Sequence, residues 1–232
     1  MPEPLVGVVG RGRLGRAVLE GCAEQGLPVV LTASTDGWMA DAVPDVLIDA
    51  SAPAAQDAVL KYCQTNEVAL IECVSDVDAE QWTDLEDLAA IVPVLRATNL
   101  AVGHFLQSRL VEHLAAFPLR HPFVPETSVW ERHPATKAHR PSATAVALAD
   151  TWVTATGTAP VDVSSLRSGL AVSEHEITWT WGAETLSLRH GVGSFAAAAQ
   201  GAVAAVRWLH GREPGLVGTR DLYEDLMGMG HV

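Results

Sequence analysis

Apolar runs of four to six residues recur through the first hundred positions, separated by longer amphipathic stretches. Leu5–Val9, Val29–Thr32, Val46–Asp49, Ala69–Cys73 and Val92–Ala97 have the continuous apolar character of strands buried on both faces. Helical spacing of apolar positions fills the gaps from the glycines after Val9 to about Gln25, over Ala54–Thr65 and over Asp78–Ala90. Pro53 stands near the start of the second of these helices. Alternating β and α units of this length predict an α/β fold, an open, doubly wound parallel sheet with helices on both faces.

After Gly103 the pattern changes. Gly103–Ala116 is helical, Thr127–Trp130 is β-like, and a polar segment leads to a helix from Ser142 to about Trp152. Val163–Arg167, Glu174–Trp181 and Thr185–His190 read as strands of a more antiparallel sheet. Alternation along Glu174–Trp181 puts Ile177, Trp179 and Trp181 on one face. An alanine-rich helix over Ser194–His210 is closed by Pro214-Gly215.

The first apolar run is followed by Gly10-Arg11-Gly12-Arg13-Leu14-Gly15, and a helix opens there. Glycines in that spacing, between strand and helix, permit a tight turn, close approach of a pyrophosphate and packing of helix on sheet, the Rossmann-type arrangement. An acidic residue at the end of the second strand, the usual holder of ribose hydroxyls, is replaced by Thr32-Ala33-Ser34-Thr35, and Asp36 comes late. Arg11 and Arg13 can neutralise a 2′-phosphate, so NADPH is expected over NADH. Asp49-Ala50-Ser51-Ala52-Pro53 ends one later strand, where it reads equally as a cofactor loop and as a helix start. Glu72-Cys73-Val74-Ser75 ends another; no base pairs with Cys73, which reads as a packed thiol.

Glu131-Arg132-His133-Pro134-Ala135-Thr136-Lys137 carries a carboxylate, an imidazole and an ammonium within seven residues. Pro141-Ser142-Ala143-Thr144-Ala145 follows and reads as a helix N-terminus, whose free N–H groups suit a carboxylate. Together these features suggest a reductase acting on an anionic small molecule. The histidines show no metal-ligand spacing and Cys22, Cys63 and Cys73 form no CxxC, so no metal is expected. The 232 residues carry a formal net charge of −13, which argues against nucleic acid or an anionic membrane as partner. Neither a membrane span nor a signal peptide is read, and reduced thiols point to a cytoplasmic protein.

In this order the residues resemble the dihydrodipicolinate reductase family over nearly the whole chain. Glu131, His133, Lys137, Pro141, Ser142, Thr144 and Ala145 match its Glu-x-His-His-x-x-Lys-x-Asp-x-Pro-Ser-Gly-Thr-Ala signature. Arg167-Ser168-Gly169 with Glu174-His175, Asp49-x-Ser51-x-Pro53, Thr98–Gly103 and the Gly211–Leu216 tail are similar to further family segments. The resemblance implies hydride transfer from a nicotinamide to a carboxylated cyclic imine. It makes His133 and Lys137 the catalytic pair and Ser142, Ala143 and Thr144 the carboxylate grip. The cofactor-binding set is Gly10, Arg11, Gly12, Arg13, Leu14, Gly15, Ser34, Ser51, Glu72, Cys73 and Asn99. It further implies a dinucleotide-binding domain of residues 1–103 and 195–232, and a smaller α+β domain of 104–194 with an open mixed sheet for substrate binding and oligomerisation. A hinge is expected near Asn99–Gly103 and Ser194, and the sheet with Trp179 and Trp181 pairs into a homotetramer.

The chain departs from the family pattern at both half-sites. Pro134 replaces the second histidine, His139 the aspartate and Ala143 the glycine of Pro-Ser-Gly. Glu72–Ser75 stands for Gly-Thr-Thr-Gly, and Phe195 for an arginine. These changes favour a relative acting on a different conjugated C=N or C=C substrate, in specialised biosynthesis. The alternatives are the lysine-pathway reductase itself and a non-catalytic nucleotide-binding relative.

Overall fold

Runs such as Val-Gly-Val-Val and Val-Leu-Ile-Asp can be buried end to end only between two helical layers, and that is where they lie. The computed structural model describes residues 2–75, 78–117, 124–169 and 172–229. The chain divides into one unit of Met1–Ala101 with Phe195–Val232 and another of Val102–Ser194.

The first unit contains β1 (Val6–Val9), α1 (Arg13–Glu24), β2 (Val29–Ser34), β3 (Gly37–Ala40) and β4 (Val46–Asp49). A 3-10 turn at Pro53–Ala55 leads into α2 (Gln56–Asn66), followed by β5 (Ala69–Glu72), α3 (Ala79–Ala89) and β6 (Pro93–Arg96). Its sheet runs β3-β2-β1-β4-β5-β6 and is parallel except for the β2–β3 hairpin. Every residue of β1, β4 and β5 is buried. Strand order reverses at β1, between β4 and β2, and open α/β sheets receive ligands at such a switch point, outside the carboxyl ends of the strands. Asp78 caps α3 through a reciprocal box with Gln81.

Two strands escape the hydrophobic pattern. β3 is exposed at all four positions and is held by pairing with β2. The expected stop at Pro214-Gly215 instead begins an edge strand beside β6, over Gly215–Gly218.

The second unit comprises α4 (Val102–Ala115), β7 (Glu126–His133), α5 (Ala143–Thr156), β8 (Asp162–Arg167), β9 (Ser173–Trp181) and β10 (Glu184–Val192). The sheet order is β10-β9-β7-β8, with β8 parallel to β7 and the other pairs antiparallel. β7 continues to His133, three residues past the apolar run, because Glu131 and His133 alternate inward and find polar partners there.

α4 and α5 cover one face of this sheet around Val111, Val129, Leu148, Trp152, Ile177 and Trp179. The Trp152 and Trp179 rings lie 5.8 Å apart. Trp181 packs against the same cluster, so both tryptophans pack the sheet against its helices. Alternation turns the large aromatics toward the helices, where they remove the most apolar area from water. The uncovered face presents Thr178 with an ion triad, in which Glu174 takes Arg132 at 2.6 Å and Arg189 at 2.9 Å. Arg189 also lies 5.5 Å above the Trp130 ring.

The last elements return to the first unit: α6 (Ala196–Leu209), β11 (Gly215–Gly218) and α7 (Thr219–Leu226). Small residues let α6 approach α1; a Cβ on Gly21 would stand 3.5 Å from the Ala199 methyl. No helix among the described residues is long and apolar enough to cross a membrane.

Candidate active site

The glycine loop after β1 is shaped by two different demands. Gly10 has φ +100°, and a Cβ there would stand 2.4 Å from the Ala50 carbonyl oxygen. A Cβ on Gly15 would come within 2.0 Å of the Gly10 oxygen. Both glycines serve the fold's own packing. Gly12 does not: a Cβ there would meet nothing within 4 Å. Gly12 is the N-cap of α1 and has no side chain to cap the helix, so the first-turn N–H groups face an open cradle. A pyrophosphate fits such a cradle by charge and by shape.

Arg11 shares a pocket with Ser34, Asp36 and Met39. The β2–β3 turn brings the late Asp36 back to Ser34, whose hydroxyl accepts the Asp36 N–H at 3.2 Å. The pocket therefore holds a guanidinium and a carboxylate together. Arg13 stacks on Phe195 at 5.1 Å, a contact that the arginine-to-phenylalanine departure creates. Asn99 accepts the Ala101 N–H at 3.0 Å and shapes its own turn. Ser51 donates its N–H to Asp49. Leu14 is half-buried behind the loop. Glu72 is fully buried, and its carboxylate accepts the Val74 N–H at 2.7 Å. Burial, then the charges of Glu72 and Asp49, push the Cys73 thiol far up, which makes it a poor nucleophile.

In the second unit the sequence motif closes around a carboxylate. Glu131 of β7 is fully buried. Its Oε1 accepts the Ser142 N–H at 3.1 Å, the Ser165 hydroxyl at 2.6 Å and Arg167 Nη2 at 2.8 Å. Its Oε2 faces His133 Nδ1 at 3.1 Å and His175 Nε2 at 3.8 Å. Burial pushes this carboxyl up, but the three donors and His133 outweigh it and hold Glu131 at about 2. His175 Nε2 lies 3.1 Å from the Ser142 hydroxyl, which also caps α5 through the Ala145 N–H.

Burial lowers His133, against the pull of Glu131, and takes His175 down to about 3. Both imidazoles are therefore neutral at pH 7. Gln107 of α4 supports the cluster from behind, donating to the carbonyls of His175 and Leu188 at 3.0 Å each.

Lys137 sits half-buried in the loop between β7 and α5. Arg167 fixes that loop: Nε donates to the Lys137 carbonyl at 2.9 Å and Nη2 to that of His139. Ala143 is exposed and Thr144 half-buried at the first turn of α5. One guanidinium thus ties the buried carboxylate to the backbone that carries Lys137.

The structure brings together His133, Ser142 and the start of α5 as the sequence expects. Sequence reasoning omits Glu131, Ser165, Arg167 and His175 from the site. The signal was present in Arg167 and His175, which lie in segments already noted for their resemblance, but register across three strands decides that they converge. Glu131, His133 and His175 place three potential metal-ligand atoms within 4.8 Å. They come from two strands, so linear spacing does not reveal them. Oε1 of Glu131 and Nε2 of His175 are engaged by Ser142, Ser165 and Arg167. His121 and His231 lie outside the described residues.

The family models of dihydrodipicolinate reductase match this chain twice, the N-terminal one over residues 18–100 and the C-terminal one over 103–223. The chain belongs to the dihydrodipicolinate reductase family. A 4-hydroxy-tetrahydrodipicolinate reductase of Stenotrophomonas maltophilia (strain R551-3) is 30% identical over 231 residues, covering 92% of this chain and 94% of that protein. One from Clostridium novyi (strain NT) is 25% identical, covering 76% and 75%. The dipicolinate-bound dihydrodipicolinate reductase of Paenisporosarcina sp. TG-14 superposes with a TM-score of 0.69 at 17% identity, covering 94% and 98%, and shares the fold. As a dihydrodipicolinate reductase family member the chain is an NAD(P)H-dependent reductase with a nicotinamide cofactor. The non-catalytic alternative is set aside.

Proposed function

We propose that the protein reduces a carboxylated cyclic imine, or a related conjugated C=N or C=C substrate, other than that of its named relatives, in specialised biosynthesis. The first unit is the dinucleotide-binding domain and the second the substrate domain. The observation that carries the reading is the chain Ser142–His175–Glu131–His133, buried at the N-terminus of α5. When bound, the nicotinamide supplies the hydride. Glu131 Oε2 stands 3.1 Å from His133 Nδ1, and its charge favours the proton on that nitrogen, which leaves Nε2 as the atom that carries a proton to substrate. A substrate carboxylate seated at the Ser142–Thr144 turn, with Lys137 beside it, raises His133 toward its protonated form and makes it the acid. Ala143 and Pro134 reshape that seat, and this supports a changed substrate.

On the cofactor side, Gly10 to Gly15 with Ser51, Glu72, Cys73 and Asn99 build the crevice wall. Arg11 beside Ser34 favours NADPH over NADH, with Asp36 reducing the margin. The polar face with Glu174, Arg132 and Arg189 assembles a homotetramer, and the protein works in the cytoplasm.

The relatives' names and the 30% identity over 92% of the chain favour a second reading, the 4-hydroxy-tetrahydrodipicolinate reduction itself. Oxidation of NADPH and NADH by the purified protein, with freshly generated 4-hydroxy-tetrahydrodipicolinate, separates the two. Turnover at the rate of a biosynthetic enzyme establishes the second reading. Tight nucleotide binding without turnover rules out the second, and turnover of another cyclic imine or unsaturated acid then establishes the first.

A further inference from the structure

Asp49 and Glu72 stand opposite one another at the carboxyl ends of β4 and β5, and both are fully buried. Each commits one oxygen to the turn that follows it. Asp49 Oδ1 accepts the Ser51 N–H at 2.9 Å, and Glu72 Oε1 accepts the Val74 N–H at 2.7 Å. The second oxygens, Oδ2 and Oε2, are buried without a donor among the described residues.

Two ionised carboxylates offer only acceptors, so neither can satisfy the other. A single proton changes that: the acid form of one donates to the other, and like charges no longer meet in a dry site. The surrounding charges fit one proton and not zero. Arg96 of β6 donates to the Glu72 carbonyl at 3.4 Å, and its cation balances one anion. Cys63 of α2 and Cys73 face the pair as thiols that burial pushes up. β1 is apolar throughout, and Arg207, the charged residue of α6, is held by Glu3. With one shared proton the cluster is neutral; with none, an uncompensated negative charge is buried.

The turns held by this pair form the wall of the glycine loop. Ala50 donates to the Val9 carbonyl at 2.8 Å and Cys73 to that of Asp49 at 2.9 Å. The Ala50 carbonyl is the group that leaves no room for a Cβ on Gly10.

We propose that Asp49 and Glu72 share one proton, and that this proton latches the Ala50–Ser51 and Cys73–Val74 turns in the form that accepts the dinucleotide. The latch rests on reading the Gly10–Gly15 loop as the nucleotide site. Loss of the proton sets two buried anions against each other, the turns part, and affinity for the nucleotide falls. Burial and then Asp49 push Glu72 up to about 7, so the latch opens just above neutrality.

Two measurements on the whole protein test this. Infrared spectra of the nucleotide-free protein at pH 6 should show the carbonyl stretch of a buried carboxylic acid. The band should vanish by pH 9, and also in Glu72→Gln and Asp49→Asn, where an amide donates in place of the proton. The Kd for NADPH and NADH, read by nucleotide fluorescence, should rise about tenfold per pH unit above the ionisation in wild type and stay flat in either variant. Absence of the wild-type band, or its survival in both variants, overturns the shared proton. A band that behaves as expected beside a pH-independent wild-type Kd overturns the latch. Folded protein that binds neither nucleotide at any pH overturns the site reading and the latch with it, and the band still decides the shared proton. If one variant fails to fold, the other and the wild-type pH series suffice.

Discussion

Glu131 and Glu72 are the same residue type, each at or near the end of a strand and each fully buried, yet their carboxyl groups behave in opposite ways. Burial raises both. Around Glu131 a backbone N–H, a hydroxyl and a guanidinium converge within 3.1 Å, and the group is held at about 2. Around Glu72 one backbone N–H faces a neighbouring carboxylate, and the group rises to about 7. Burial sets the penalty for charge, and the donors on hand decide whether the charge survives. The second unit thus holds its anion beside an imidazole, while in the first burial and a like charge raise the carboxyl at the end of β5.

Removing the strongest donor should erase that difference. Arg167→Met leaves the Glu131 charge buried without its cation and should cost about 3–5 kcal/mol. The same change frees the Lys137 and His139 carbonyls, so kcat/KM should fall along with Tm. Thermal melts beside steady-state rates measure both, and an unchanged Tm would show that the anion does not need Arg167. His133→Gln tests the chemical use of the anion. We expect kcat to drop by about 10²- to 10⁴-fold if His133 is the acid. In wild type kcat/KM should rise as the pH falls below 6.5, where a histidine with lowered affinity takes up its proton. That limb should be missing in the variant.

Burial and register also decide which parts of the molecule its sequence displays. The parallel sheet was legible because strands buried on both faces need uninterrupted apolar runs, as in Val-Leu-Ile-Asp. β3 was not, since Gly-Trp-Met-Ala is exposed and owes its form to the neighbouring strand. The glycine loop and the Ser142 cap were visible as local patterns. The Glu131 cluster was only half visible, because Ser165, Arg167 and His175 reach it through register across β7, β8 and β9. The Asp49–Glu72 pair was hidden for the same reason: the two residues are far apart in sequence and adjacent only across β4 and β5.

Glu72→Gln probes the first unit's carboxyl in the same way. A carboxyl raised from 4.5 to about 7 in the folded protein contributes stability that is complete below pH 4.5 and lost as pH rises through about 7. The amide does not titrate, so the variant should gain about 2–3 kcal/mol over wild type at pH 8 and little at pH 4.5. Glu131 runs the opposite way: its stabilisation is complete above pH 4.5 and is lost as pH falls toward about 2. Urea melts across pH 3–9 separate the two windows. A Glu72→Gln gain that does not grow with pH would show that Glu72 carries no extra proton.

The smallest effect is the most specific. Ser165→Ala removes one donor from Glu131 and leaves Arg167 and the Ser142 N–H in place. A hydrogen bond to a charged group contributes about 1.5–3 kcal/mol, and with two donors remaining the lower end applies. The Glu131 carboxyl should rise but stay below its usual 4.5, so the loss should be complete above pH 4.5, where Glu131 is ionised in wild type and variant alike, and should shrink as pH falls toward about 2. The Ser165 hydroxyl reaches Glu131, and the Ser165 carbonyl that takes Arg140 of the Lys137 loop at 3.4 Å is kept in the variant, so kcat should hold while stability above pH 4.5 drops. A fall in kcat as large as that of His133→Gln would mean that the charge of Glu131, and not its placement of His133, governs the reaction.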